Sequence, residues 1–227
     1  MTLVYRLGGS LLTLCSLGKK VRSLVRHYPN RRPLFVVGGG DAADIVRYWD
    51  QRHGLGDETA HRLALKAMRI NEALLTELLP ETRLVATRDE AHEVWASSGW
   101  PVLCADSFIE SEEDRIQRAG GATVRDLLPH TWDVTSDSLA AWIALQWPAD
   151  GLVLIKSMPR PVENNPCVWS ENGAVDRYFS NLVPSLSRLG WVDLRDKNPR
   201  LTWCLNHLDR QRPAGTMSPQ TLPGQPT

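Results

Sequence analysis

The sequence predicts an α/β protein, a three-layer α/β/α sandwich around a mostly parallel central sheet. Three observations carry that expectation. Short apolar runs alternate with helical patterns along the chain. Those runs are nearly continuous rather than alternating, as strands covered on both faces require. The chain has 227 residues, enough for one large domain of this kind or at most two small ones.

The elements follow in order. Leu3 to Leu7 reads as a strand broken by Gly8-Gly9-Ser10, with a helix after it ending near His27-Tyr28. Leu34 to Val37 is a second apolar strand, bounded by Pro33 and Gly38. Gly38-Gly39-Gly40 then leads into a helix over Asp41 to Trp49, with Asp41 as its N-cap. The longest helical pattern spans Asp57 to Leu79. Its apolar residues Leu63, Ala67, Ile70, Leu74 and Leu78 recur at steps of three and four, which predicts that this face is buried. Leu84 to Ala86 and Val102 to Cys104 are strands, with a helix over Asp89 to Ser97 between them. A helix over Ser136 to Trp147 precedes the strand Leu152 to Ile155, and a helix over Val175 to Leu189 precedes the strand Trp191 to Leu194. The folded domain is expected over residues 1–208, followed by a disordered, Pro-rich tail over 209–227. No internal repeat is visible.

Composition excludes several function classes. Twenty-six Lys and Arg balance 26 Asp and Glu, so no overall positive field draws the chain to nucleic acid. No apolar run approaches the ~20 residues of a membrane span. Met1 to Leu7 lacks the layout of a signal peptide, so the expected location is cytoplasmic. Cys15, Cys104, Cys167 and Cys204 are far apart, without metal spacing, and read as mostly buried reduced thiols. Nine Trp against three Phe is unusual, but Trp142, Trp147 and Trp191 sit in apolar runs and read as core.

Four segments carry chemistry. The strand–glycine–helix elements at Leu3–Ser10 and Leu34–Asp44 let backbone N–H groups approach a ligand, with a helix N-terminus behind them. That arrangement suits phosphate or carboxylate. Thr135, Ser136 and Asp137 place two hydroxyls and a carboxylate at the mouth of a helix, where plain capping is the competing role. Lys156 directly follows an apolar strand, where open α/β sheets bind ligands. The run Gly38-Gly39-Gly40-Asp41-Ala42-Ala43 also fits G-x-G-x-x-A, the dinucleotide fingerprint. However, the acidic residue that should end a second strand ~20 positions on is missing, which disfavours an NAD oxidoreductase.

Together these segments resemble the amino acid kinase family, the group that includes acetylglutamate, carbamate, uridylate and isopentenyl phosphate kinases. The matching residues are Arg6-Leu7-Gly8-Gly9-Ser10, Val36 to Gly40 with Asp44 and Arg47, Thr135 to Ser138, and Leu152 to Lys156. Within the family, Ala60 to Met68 and His130 to Ser138 look like the subgroup that phosphorylates an aminomethylfuran methyl phosphate in methanofuran biosynthesis.

The resemblance implies a small-molecule kinase using ATP and Mg. Gly8, Gly9 and Ser10 would lie along the nucleotide phosphates, with Lys156 on the nucleotide side. Gly38, Gly39 and Gly40 would face the phosphoryl acceptor, with Asp44, Arg47, Thr135 and Ser136 nearby. Arg6 and Lys156 would neutralise charge on the moving phosphoryl group, and Asp137 would orient them. The implied partner is a small anionic acceptor, with no nucleic acid and no membrane; the oligomeric state stays open, a homo-oligomer included. Two features depart from the family. Arg6 stands where the family usually has Lys, and Lys156-Ser157-Met158-Pro159-Arg160-Pro161 replaces an Asp-Val-Asp-Gly-like segment. They leave open a second reading, a non-catalytic ligand-binding or regulatory protein on the same fold.

Overall fold

The computed structural model describes residues 1–28, 31–120 and 127–206. Strand β1 (Thr2–Leu7) runs through a short 3-10 turn (Gly9–Leu11) to helix α1 (Leu17–Arg26). Strand β2 (Arg32–Val37) leads to α2 (Gly40–His53) and the long α3 (Asp57–Leu78). Then come β3 (Thr82–Val85), α4 (Arg88–Ala96), β4 (Trp100–Leu103) and α5 (Ala105–Arg118). Helix α6 (Ser136–Gln146) precedes β5 (Gly151–Lys156). Short α7 (Pro166–Glu171) and α8 (Phe179–Leu182) lead to β6 (Arg188–Asp193) and β7 (Thr202–Asn206).

The strands form one sheet in the order β3-β4-β2-β1-β5-β6-β7, parallel except for the β6–β7 pair. Strand β1 lies between β2 and β5. The chain leaves β1 for β2 on one side and later crosses back to β5 on the other. The carboxyl ends of β1 and β5 therefore flank the point where the winding reverses, the usual ligand position in open α/β sheets.

Side-chain alternation along the strands divides the core into two layers. Leu3, Tyr5, Leu7, Phe35, Val37, Val153 and Ile155 pack with Leu17, Val21 and Leu24 of α1. Val4, Leu34, Val36, Leu152 and Leu154 face the opposite layer, built largely from α4, α5 and α6. The three-layer sandwich expected from the sequence is what forms. Trp142 and Trp191 are buried core residues, as expected, and so is Trp147.

Several expectations need correction. Helix α2 begins at Gly40 with Gly39 as N-cap, so Asp41 sits in the first turn, where its charge favours the helix N-terminus. The single helix expected over 175–189 is instead α8 and a 3-10 turn, interrupted by Pro184, and β6 starts as early as Arg188. Helix α5 and strand β7 have no counterpart in the sequence reading. Two of the four cysteines, Cys15 and Cys167, are exposed; all four are free thiols. The domain end at 208 and the Pro-rich tail lie outside the described residues.

The largest correction concerns α3. Of its expected buried stripe, Leu63 and Ala67 are half-buried while the later part faces outward: Ile70 is 68% exposed, and Leu74 and Leu78 are each 40% exposed. The buried stripe contains Ala60, His61, Leu65, Met68, Asn71, Glu72 and Leu75. Two of its polar members, Asn71 and Glu72, have specific structural partners. Asn71 Nδ2 donates to the carbonyls of Gly38 and Gly39, at 2.8 and 2.7 Å, and Glu72 Oε1 accepts from the N–H of Ala105 at the start of α5, at 3.0 Å. Tertiary demand for those partners outweighs the apolar content of the other stripe.

Burial pushes the Glu72 carboxyl up to about 7. Its folded pKa lies above its unfolded value, so the unfolded chain binds fewer protons between the two and stability falls as pH rises from about 4.5 to 7. Glu72→Gln keeps an oxygen for Ala105 and removes the ionisation. The variant should gain roughly 1–3 kcal/mol over the parent at pH 8 and little at pH 4, read from urea midpoints at both values.

Candidate active site

Period-two alternation decides where the charged residues point. Arg6 shares its face of β1 with Val4, and Lys156 shares its face of β5 with Leu152 and Leu154. Both side chains enter the layer that contains α6, whose first turn carries Asp137. Lys156 is the last residue of its strand rather than the first residue beyond it.

The result is a buried cluster. Arg6 Nε lies 3.0 Å from Asp137 Oδ1 as an ion pair, although these two atoms are not aligned as a hydrogen bond. Lys156 Nζ donates to Asp137 Oδ2 at 2.7 Å and to the Ala174 carbonyl at 2.8 Å. Arg6 Nη2 donates to Ser136 Oγ at 2.6 Å. Burial opposes ionisation of Asp137, but Arg6 and Lys156 outweigh it and hold the carboxyl below its usual range. Burial, joined by the Arg6 charge, lowers Lys156 to about 8 against the pull of Asp137. In this buried cluster the Asp137 carboxylate lies between the Arg6 and Lys156 cations, and the Asp176 carboxylate is close enough to act on Lys156 as well.

The two glycine loops meet beside it. Gly8 N–H donates to the Ile155 carbonyl at 2.9 Å and Gly38 N–H to the Leu7 carbonyl at 2.8 Å, so both loops continue the sheet at its carboxyl end. A Cβ on Gly9 would lie 2.3 Å from the Gly40 nitrogen, and Gly40 has φ +45, so this approach requires glycine at both positions. Ser10 is exposed, with its hydroxyl 3.0 Å from that of Ser157 beyond β5.

A cavity of about 200 Å³ opens on the second loop. Arg6, Gly39, Gly40, Asp44, Arg47, Thr135 and Ser136 all line it, seven of the residues singled out from the sequence. Asp44 and Arg47 pair at 2.6 Å on its rim. The Arg47 guanidinium also lies 4.6 Å from the Trp132 ring centroid, and Trp132 is fixed by its indole N–H to Asp50 at 2.7 Å. Gly8, Gly9, Ser10, Gly38, Asp137 and Lys156 are not among the residues lining this cavity.

Residues that hold the site in place were missed from the sequence, Asn71 and Asp176 among them. Asn71 pins the second glycine loop, as described above. Asp176 holds the mouth of α6: its carboxylate accepts from the N–H and hydroxyl of Thr135, the N–H and hydroxyl of Ser138, and the N–H of Phe179. Thr135 itself makes no side-chain cap. The capping expected of residues 135–137 is instead delivered by a residue about forty positions later, which no local pattern could announce.

Asp176→Ala strands these donors in a partly buried setting. We expect a loss of about 2–4 kcal/mol in urea unfolding, against under about 1.5 kcal/mol for Thr135→Ala, which removes a single hydroxyl.

No protein-family model matches the chain. It is 25% identical over 144 residues to the [5-(aminomethyl)furan-3-yl]methyl phosphate kinase of Methanocaldococcus jannaschii, a match covering 62% of this chain and 58% of that protein. Among solved structures it superposes on UMP kinase from Ureaplasma parvum with a TM-score of 0.58 and 13% identity, covering 88% of this chain and 92% of the other. Uridylate kinase from Archaeoglobus fulgidus gives 0.52 and 18%, covering 84% and 89%. Aspartate kinase from Synechocystis gives 0.54 and 13%, covering 83% of this chain and 37% of the other. The fold is therefore that of the amino acid kinases, and the chain resembles that family in the motifs that build its site.

Proposed function

We propose that the chain is an ATP-dependent small-molecule kinase whose acceptor is a small phosphorylated molecule of the furan-methyl phosphate type. The observation that carries this reading is the Arg6–Asp137–Lys156 cluster, set where two glycine loops converge above the winding reversal of the sheet. The similarity to the Methanocaldococcus jannaschii kinase supports the acceptor class, and with it a place in one-carbon cofactor synthesis.

Phosphoryl transfer asks for alignment and charge neutralisation rather than covalent help from the protein. An oxygen of the acceptor phosphate attacks the γ-phosphorus of ATP, the bond from that phosphorus to the β–γ bridging oxygen breaks, and ADP leaves. The backbone N–H groups of Gly9 and Ser10 would hold the nucleotide phosphates, with Gly8 fixed to the Ile155 carbonyl behind them, and those of Gly39 and Gly40 the acceptor. Arg6 and Lys156 would meet the charge that spreads over the transferring oxygens. Their geometry is already fixed by Asp137 and Ser136, so no reorganisation is needed at the moment of transfer. Among the described residues no cluster of three or more His, Cys, Asp or Glu is placed to hold a metal. Mg would come with the phosphates of ATP, keeping most of its waters and shielding their charge.

The second reading, a non-catalytic binder, draws on how fully Lys156 is engaged by Asp137 and the Ala174 carbonyl. Phosphorus-31 NMR of the protein with ATP, Mg and [5-(aminomethyl)furan-3-yl]methyl phosphate separates the two. A new diphosphate signal growing with ADP supports the kinase. Calorimetric binding of the acceptor without ATP binding or turnover supports the binder.

Two further outcomes follow from the cluster. Arg6→Ala should lower turnover by ~10²–10³, with Arg6→Lys keeping part of the rate, because one lost electrostatic element at a preorganised site is worth about that much. Turnover should also fall above about pH 8, as Lys156 loses its proton. Asp137→Asn removes the charge that supports the ammonium, so the falling limb of the pH–rate profile should move to lower pH. A carboxylate that served only the N-terminal turn of α6 would leave that limb in place.

A further inference from the structure

A histidine at the cavity, and a second stacked on it, have no role in the account so far. His61 lines the wall of the cavity, is only 6% exposed, and its Nε2 has no hydrogen-bond partner among the described residues. Its ring stacks on His130, with centroids 4.3 Å apart and planes within 5°. His130 is tied at both nitrogens, Nδ1 to Glu58 at 2.6 Å and Nε2 to Glu113 at 3.1 Å. They lie in the two stretches, residues 60–68 and 130–138, that resemble one subgroup of kinases rather than the family at large.

The pair is asymmetric. Burial pulls His130 down, but its two carboxylates outweigh that and the net shift is upward, toward an imidazolium. Burial, reinforced by the His130 charge, lowers His61 to about 4, so His61 is neutral at working pH. A neutral imidazole has one donor and one acceptor nitrogen, so Nε2 has one hydrogen bond to offer in either tautomer. Buried polar atoms without a partner are uncommon in folded proteins, and this one belongs to a residue on a ligand-sized wall. The rest of the wall supplies an apolar body from Leu65, Met68, Val134 and Leu139, the Arg6 cation, and the Arg47–Asp44 ion pair at the rim. At about 200 Å³ the space suits a compact metabolite rather than a drug-sized ligand.

We propose that His61 is a specificity-determining residue of the acceptor site, its Nε2 hydrogen-bonding a polar group that the acceptor carries away from its anionic end, with His130 as a positioning residue that fixes the ring. The acceptor class is then a compact molecule with an anionic group, an apolar ring-sized middle and a distal polar substituent. This assignment rests on the kinase reading above for the identity of the acceptor.

The test is calorimetric binding of [5-(aminomethyl)furan-3-yl]methyl phosphate, without nucleotide, to the parent, His61→Phe and His61→Gln. His61→Phe keeps a flat ring for the stack and removes the nitrogen, whereas His61→Gln restores a polar atom. We expect the Phe variant to bind ~10–100-fold more weakly with unchanged ATP affinity, and the Gln variant to recover part of the loss. In nitrogen-15 NMR of the parent, the His61 Nε2 signal should move on saturation with the compound. Equal affinity of the parent and the Phe variant makes His61 a packing residue and overturns the proposal while leaving the kinase reading intact. An unmoved Nε2 signal in the saturated parent does the same, and decides the matter even if the Phe variant does not fold. If the parent binds none of the compound, the acceptor reading falls and the assignment with it.

Discussion

Arg6 and Lys156 project from neighbouring strands into the same buried layer, and two cations there would repel each other and lose their hydration without compensation. The Asp137 carboxylate lies between them, one oxygen toward each. Removing one partner of such a buried pair typically costs 3–5 kcal/mol, because an uncompensated charge stays behind. The position of α6 over the sheet is therefore fixed electrostatically as well as by the packing of Leu139, Ala140 and Trp142. The site and this part of the fold depend on the same interaction.

That dependence extends outward in two directions. Asp176 secures the first turn of α6 from a distant loop, so Ser136 and Asp137 are presented at a fixed depth. Asn71 secures the second glycine loop from α3, bringing Gly40 against Gly9. The glycine-loop backbone and the cationic side chains are thus positioned by separate buried polar contacts. A site meant to stabilise developing charge gains from such rigidity, because its dipoles need not reorient during reaction.

Much of this was legible in the sequence. The apolar runs at 3–7, 34–37 and 152–155 located the three central strands, and the glycines after the first two located the loops. Alternation along β1 and β5 sends Arg6 and Lys156 to one face, as their spacing from Val4 and Leu154 implies. Less legible was anything set by long-range polar contact. The apolar stripe Ile70–Leu74–Leu78 of α3 is the better hydrophobic face on paper, yet the stripe bearing His61, Asn71 and Glu72 is buried, because the loop carbonyls, the cavity and the start of α5 need those groups. Asp176 carries no local signal, since its partners lie about forty residues earlier. Helix α5 escaped notice because its sequence is rich in charge, with only Phe108, Ile109 and Ile116 as large apolar residues turned inward.

The central claim is that the meeting point of the two glycine loops with Arg6, Asp137 and Lys156 is where a phosphoryl group is transferred. A crystal structure of the protein with ADP, Mg and aluminium fluoride, a mimic of the transferring phosphoryl group, tests it most directly. The account predicts the fluoride complex between the Gly8–Ser10 and Gly38–Gly40 loops, within hydrogen-bond distance of Arg6 and Lys156 and next to the cavity lined by His61. A nucleotide bound away from the first glycine loop, or a fluoride complex out of reach of both cations, would contradict it.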